Sequence, residues 1–163
     1  MNIVLHEPEI PQNTGNIART CVATSTTLHL IKPLGFSIDD KAVKRAGMDY
    51  WDKLDLRVYE NYEEFYYKNK NAKIWFGTTK AHHIYTEVSY SEDDFIIFGA
   101  ESKGIPEEIL VNNEETCIRI PMIEGCRSLN LANSTCIVLY EALRQQKFAN
   151  LEAHGELHRL NWN

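Results

Sequence analysis

Phe95-Ile96-Ile97-Phe98-Gly99-Ala100-Glu101-Ser102-Lys103-Gly104-Ile105-Pro106 is the stretch on which the fold turns. Four consecutive apolar residues read as a strand covered on both faces, since a half-exposed strand alternates apolar with polar. The polar loop after it holds two glycines, which permit tight turns and close approach of backbone to a ligand. Pro106 suits the first turn of a short helix. Buried strand, glycine loop and helix together make one unit of an α/β domain.

The same unit repeats in both directions along the chain. Asn2 to Leu5, Thr27 to Ile31, Leu54 to Tyr59, Lys73 to Phe76 and Cys117 to Ile120 are further short apolar runs that read as strands. Helical patterns lie between them: Thr14 to Ala23, Asp39 to Ala46 behind an Asp suited to an N-cap, and Asn61 to Lys70. The clearest helix is Leu131 to Gln146, with Asn130 as its cap and Leu131, Thr135, Val138, Leu139, Ala142 and Leu143 on one face. Its middle, Cys136 to Tyr140, is apolar nearly all round, which predicts packing on two sides, one of them against another subunit. The expected architecture is a mainly parallel sheet flanked by helices.

At 163 residues the chain fits one domain with a sizeable core. Residues 1–148 carry the pattern, and 149–163 read as a polar tail of uncertain order. No apolar run is long enough to span a bilayer, and no secretion signal opens the sequence. A net charge of −6 argues against a protein that coats nucleic acid non-specifically, while leaving room for a local basic patch. Cys21, Cys117, Cys126 and Cys136 show no CxxC spacing, and Cys21 and Cys136 sit in apolar helical patterns. Buried free thiols in a reducing cytoplasm are the expectation.

Three polar, glycine-containing segments sit at strand ends or helix starts, where ligands bind in open α/β sheets. In Pro8-Glu9-Ile10-Pro11-Gln12-Asn13-Thr14-Gly15-Asn16-Ile17-Ala18-Arg19, two prolines stiffen the loop. Asn13, Thr14 and Gly15 present donors at a helix N-terminus, and Arg19 falls one turn later on the same face. A capped helix with a surface arginine is the competing reading. In the loop 99–104, Glu101 beside Lys103 reads equally as a solvated pair or as ligand-facing. The third segment runs from Ile120-Pro121 through Gly125-Cys126-Arg127-Ser128-Leu129-Asn130 into the last helix. Helix capping accounts for Asn130; the polar run as a whole suits a polar, uncharged or zwitterionic ligand.

Other chemistries lack their signatures. There is neither GxxxxGK[ST] nor GxGxxG, and Ser128 has no GxSxG elbow. His82 and His83 are adjacent, without metal-ligand spacing, and no metal is expected. Cys126 beside Arg127 has no indicated His partner for a catalytic thiol.

Taken together, in this order, NTGNIART, FGAESKGIP and IPMIEGCRSLNLANSTCIVLYEALRQ resemble the three motifs of the SPOUT superfamily of RNA methyltransferases. The short length and the opening NIVLHEPEIPQNTGNIART resemble its TrmL (YibK-like) branch, over about Met1 to Phe148. The resemblance implies a C-terminal trefoil knot, a homodimer and S-adenosylmethionine as cofactor, with S-adenosylhomocysteine as product. It also implies 2′-O-methylation of the wobble ribose, nucleotide 34, cytidine or uridine, in the anticodon loop of particular tRNAs, leucine isoacceptors foremost.

Carried over by motif, the cofactor contacts are Gly77, Thr78, Gly99, Glu101, Gly104, Ile120, Ser128 and Leu129, the last with Ile120 holding the adenine through backbone. The motif-one arginine, Arg19, is the expected catalytic residue, with Asn13, Ser128 and Asn130 positioning it and the ribose. A guanidinium is a poor base, so Arg19 is expected to stabilise developing alkoxide charge or to orient a phosphate. Expected RNA contacts are Arg19, Arg127, Arg144 and the one-turn series Lys41, Lys44 and Arg45, for which a solvated basic face is the competing reading. The rival functions are ribosomal RNA ribose 2′-O-methylation and a non-catalytic RNA-binding protein of the same fold.

Overall fold

The computed structural model describes residues 1–38 and 50–162. The expected helix 39–46, with Lys41, Lys44 and Arg45, lies outside the described residues. Among the described residues seven strands form one sheet: β1 (Asn2–His6), β2 (Thr27–Ile31), β3 (Leu56–Tyr59), β4 (Ile74–Gly77), β5 (His83–Ile84), β6 (Phe95–Phe98) and β7 (Cys117–Arg119). Their order across the sheet is β3-β2-β1-β6-β4-β7-β5. Every neighbouring pair is parallel, with β1 held between β2 and β6 in registers Ile3 to Leu28 and Ile3 to Ile96.

Because successive side chains point to opposite faces of a strand, each central strand feeds two cores. Ile3, Leu5, Leu28, Leu30, Ile96 and Phe98 enter the first. There they meet α1 (Pro11–Ala23) through Ile17, Ala18 and Cys21, and α4 (Leu131–Gln145) through Val138, Leu139 and Ala142. Val4, Ile31, Ile97 and Phe76 enter the second, with Phe65 of α2 (Tyr62–Lys68) and Leu110 of α3 (Glu107–Leu110). Parallel sheets are stable when both faces are covered in this way.

Helix α4 buries Leu131, Thr135, Val138, Leu139, Ala142 and Leu143, the face that its periodicity predicts. Helix α1 starts earlier than expected. Pro11 occupies its first turn, where a missing N–H costs nothing, so Asn13, Thr14 and Gly15 lie inside the helix and are buried. Strand β5 has only two residues and no apolar pattern to announce it. Two 3₁₀ turns, Trp51–Lys53 and Glu114–Thr116, complete the described elements.

All four cysteines are free thiols; Cys21 is buried, and Cys136, expected inside, is half-buried. Burial pushes the Cys21 thiol up to about 12, which makes it chemically inert. Among the described residues past α4 there is no helix or strand. Leu151 packs on the edge of the first core, while Leu157, Leu160 and Trp162 are exposed. Among the described residues, no helix is long and apolar enough to cross a membrane.

Candidate active site

A cavity of about 690 Å³ opens by the carboxyl ends of β4, β6 and β7, whose Gly77, Phe98 and Ile118 line it. Its size is that of a site for a small organic ligand. Three loops build it. The loop after β4 is fixed on β7 by the Thr78 N–H, which donates to the Ile118 carbonyl at 2.9 Å. The loop after β6 folds on itself, with Gly104 N–H donating to the Ala100 carbonyl at 2.8 Å. Gly104 has φ +72°, and a Cβ on Gly99 would lie 2.0 Å from the Gly104 carbonyl carbon. Gly99 has no room for a side chain, and the left-handed backbone at Gly104 favours glycine. The third loop, 121–130, is open except at half-buried Met122 and leads into α4.

The lining is apolar at Ile118, Ile120, Leu129, Leu131 and Val138 and polar at Asn13, Thr78, Glu101, Ser128, Asn130 and Ser134. All eight expected cofactor contacts, Gly77, Thr78, Gly99, Glu101, Gly104, Ile120, Ser128 and Leu129, line the cavity, as do Asn13, Arg127 and Asn130. Gly77 has a packing reason of its own: a Cβ there would meet the Phe98 ring at 2.5 Å.

A hydrogen-bonded chain joins the three segments. Asn130 Oδ1 accepts from the N–H groups of Ala132 and Asn133 at 2.9 and 3.2 Å, capping α4. Its Nδ2 donates to Asn13 Oδ1 at 2.9 Å. Asn13 Nδ2 in turn donates to Glu101 Oε1 at 2.9 Å. Glu101 also accepts from the backbone N–H groups of Glu9 at 2.8 Å and Ile10 at 3.3 Å. Glu101 therefore makes no ion pair with Lys103, and the solvated-pair reading gives way to an acid that closes the start of α1. Nor is α1 a self-capped helix: its N-cap is Ile10, which has no side-chain cap bond. A carboxylate from the neighbouring loop satisfies those amides and suits the positive end of the helix dipole.

Arg19 lies outside the cavity. It is exposed, and its guanidinium carbon sits 5.2 Å from the centroid of the Tyr50 ring, within cation–π range. Arg127 and Ser128 are exposed on the third loop and face the cavity without a hydrogen-bond partner among the described residues. Arg144 is held bidentate by Glu141 at 2.8 Å on both nitrogens, so this expected RNA contact is already paired within α4. His82 and His83 each face one glutamate, Glu114 at 3.1 Å and Glu115 at 3.8 Å, and no metal-holding cluster occurs among the described residues.

Sequence reasoning passed over Lys80, Met122 and Ser134, which also line the cavity. Lys80 is ion-paired with Glu107 at 2.6 Å. Two residues past the expected Thr78, it had no motif to mark it.

Residues 1–140 match the model of the SpoU rRNA Methylase family. The chain belongs to this family. A relative from Listeria monocytogenes is 52% identical over 153 residues, 92% of this chain and 90% of its own. The tRNA (cytidine(34)-2′-O)-methyltransferase of Methylovorus glucosotrophus is 46% identical over 149 residues, covering 91% of this chain and 97% of its own. A solved structure described as "Structural insights into the 2-OH methylation of C/U34 on tRNA" superposes with TM-score 0.85 at 41% identity, covering 90% of this chain and 95% of the other. The AdoMet-bound rRNA methyltransferase of Sinorhizobium meliloti superposes with TM-score 0.78 at 26% identity, over 88% of this chain and 55% of its own. The resemblance to SPOUT methyltransferases is thus borne out, and so is the α/β fold with a parallel sheet.

Proposed function

We propose that the chain transfers a methyl group from S-adenosylmethionine to the 2′-oxygen of the wobble ribose, nucleotide 34, of specific tRNAs. The observation that carries this reading is the convergence of Asn13, Glu101 and Asn130, one from each segment, on one partly apolar cavity. The near full-length likeness to a tRNA (cytidine(34)-2′-O)-methyltransferase supports the same substrate.

The donor set fits the cofactor. Ile120, Leu129 and Val138 offer a slot for a purine, and Thr78, Ser128 and Ser134 offer hydroxyls to its polar groups. Bound there, S-adenosylmethionine would supply an activated methyl group, leaving S-adenosylhomocysteine after transfer. The chain's part is alignment of the ribose oxygen and help with loss of its proton. Asn130, fixed at the head of α4, and Asn13, fixed by Glu101, hold the ribose side of the site rigidly. A guanidinium is a poor base, so Arg19 serves developing negative charge on oxygen or a phosphate that accepts the proton. Its exposed position beside Tyr50 suits contact with a macromolecule. Arg127 supplies a cation at the rim for a neighbouring phosphate.

Three further features belong to the same reading. A homodimer is supported by α4, on which the large apolar side chains of Ile137 and Tyr140 are exposed. A threaded C-terminus is supported by the strand order, in which β7 lies between β4 and β5, two strands the chain has already joined. Residues 1–148 would form the catalytic unit and 149–163 a tail, acting in the cytoplasm with its thiols free. The test is transfer of labelled methyl to tRNA or to ribosomal RNA. Label on tRNA supports the proposal, and label on ribosomal RNA alone selects the rival substrate. No label, with cofactor still bound, selects a non-catalytic binding protein.

A further inference from the structure

The segment before α1 and the loop after β6 grip one another from both sides. Glu101 accepts the N–H groups of Glu9 and Ile10. In return, the Glu9 carboxylate accepts Ser102 N–H at 2.9 Å on Oε2 and Ser102 Oγ–H at 2.7 Å on Oε1. Each segment presents an acid to the other's backbone. The Glu9 side is held from behind by Gly35, whose N–H donates to the Pro8 carbonyl at 2.9 Å. A Cβ at Gly35 would lie 2.5 Å from the Glu9 carbonyl oxygen, so the backbone there has no room to retreat. The bonds from Ser102 lower the Glu9 carboxyl from its ordinary value, because they favour the charged form.

We propose that Glu9 is a positioning residue for the cofactor cavity: by fixing Ser102 it sets the loop 99–104, and so keeps Glu101 on Asn13. The proposal rests on the reading that this cavity holds S-adenosylmethionine. The loop forms one side of the cavity, and its internal backbone tie, Gly104 to Ala100, closes the turn without anchoring it to a neighbour. Glu9 and Glu101 supply that anchor. A carboxylate accepts two donors at once, whereas an amide turns its own N–H groups toward one of them. Neither Glu9 nor Ser102 needs to touch the reacting atoms for this role.

Calorimetric titration of S-adenosylmethionine into the full chain tests it, on the wild type, Glu9→Gln, Ser102→Ala, the double variant and Ser102→Thr. Loss of a charge-assisted pair predicts that Glu9→Gln raises the cofactor Kd about tenfold and Ser102→Ala about threefold. The double variant should match Glu9→Gln alone, because both changes break one clasp. Ser102→Thr keeps the hydroxyl and should bind as the wild type does. Unchanged Kd throughout, additive losses, or a Ser102→Thr variant as weak as Ser102→Ala overturns the proposal. If Glu9→Gln does not fold, the comparison of Ser102→Ala with Ser102→Thr decides alone. A wild-type chain that binds no cofactor overturns the functional reading itself.

Discussion

Asn130 Nδ2 donates to Asn13 Oδ1 at 2.9 Å, across 117 positions of sequence. One side chain thereby caps α4 with its oxygen and fixes α1 with its nitrogen. The two duties separate by substitution. Asn130→Ser keeps a capping oxygen and loses the amide donor, so stability should stay near wild type while kcat falls at least tenfold. Asn130→Ala loses both and should also lower stability by about 1 kcal/mol, the usual worth of a cap. Thermal unfolding with single-turnover kinetics distinguishes these outcomes; equal activity loss with equal unfolding in both variants would show that only capping matters.

Arg19 stands outside the cavity, stacked on Tyr50. Arg19→Ala should abolish turnover and leave the cofactor Kd within about twofold of wild type. Arg19→Lys should not restore activity, because an ammonium lacks the planar fork and stacks poorly on a ring. Collapse of cofactor binding in Arg19→Ala would contradict this division of labour.

Much of this arrangement was legible in the sequence, and the limits have a physical pattern. Helix α4 declares its buried face residue by residue because a 3.6-residue period leaves a repeated apolar signal. Strands β1, β4 and β6 announce themselves through consecutive apolar residues, and β2 through Leu28, Leu30 and Ile31 around His29. Two-residue β5 carries no such signal, and the start of α1 was placed late because Pro8 and Pro11 read alike as loop stiffeners. The partners of Glu101 were invisible for another reason. Local reading pairs it with Lys103, two residues on, whereas its hydrogen bonds reach Glu9, Ile10 and Asn13 across the sheet. Tyr50 beneath Arg19 belongs to the same long-range class.

Gly99 should tolerate no side chain. With Gly104 backbone 2.0 Å from where a Cβ would stand, Gly99→Ala must open the loop 99–104. Cofactor binding should be lost while the far-ultraviolet circular dichroism of the sheet and helices persists. Gly104→Ala meets no atom but keeps φ +72°, so it should cost only about 1–2 kcal/mol of stability and leave measurable cofactor binding. Equal cofactor affinity in Gly99→Ala and wild type would rule out this loop as part of the site.

Stability should fall in mild acid through His29. The ring is buried in β2, bonded to the Tyr59 hydroxyl at 2.9 Å and to Asn2 Oδ1 at 3.1 Å. Burial, aided by Arg57, pulls it from 6.5 down to about 4. Between those values the unfolded chain takes up a proton that the folded chain refuses, so stability rises with pH there and is lost as pH falls. The full effect is on the order of 3 kcal/mol between pH 6.5 and 4. Denaturant titrations across that range should show a shallower dependence in His29→Gln, which bonds but does not titrate. An identical pH dependence in both proteins would remove His29 as the cause.

The central claim is the atom and nucleotide that receive the methyl group. Purified chain, S-adenosylmethionine and a single leucine tRNA taken from cells lacking the gene should be incubated together, digested and mapped by mass spectrometry. The account predicts one added methyl on the ribose of nucleotide 34, absent with Arg19→Ala. Methylation of a base, or of any other ribose in place of nucleotide 34, would contradict it.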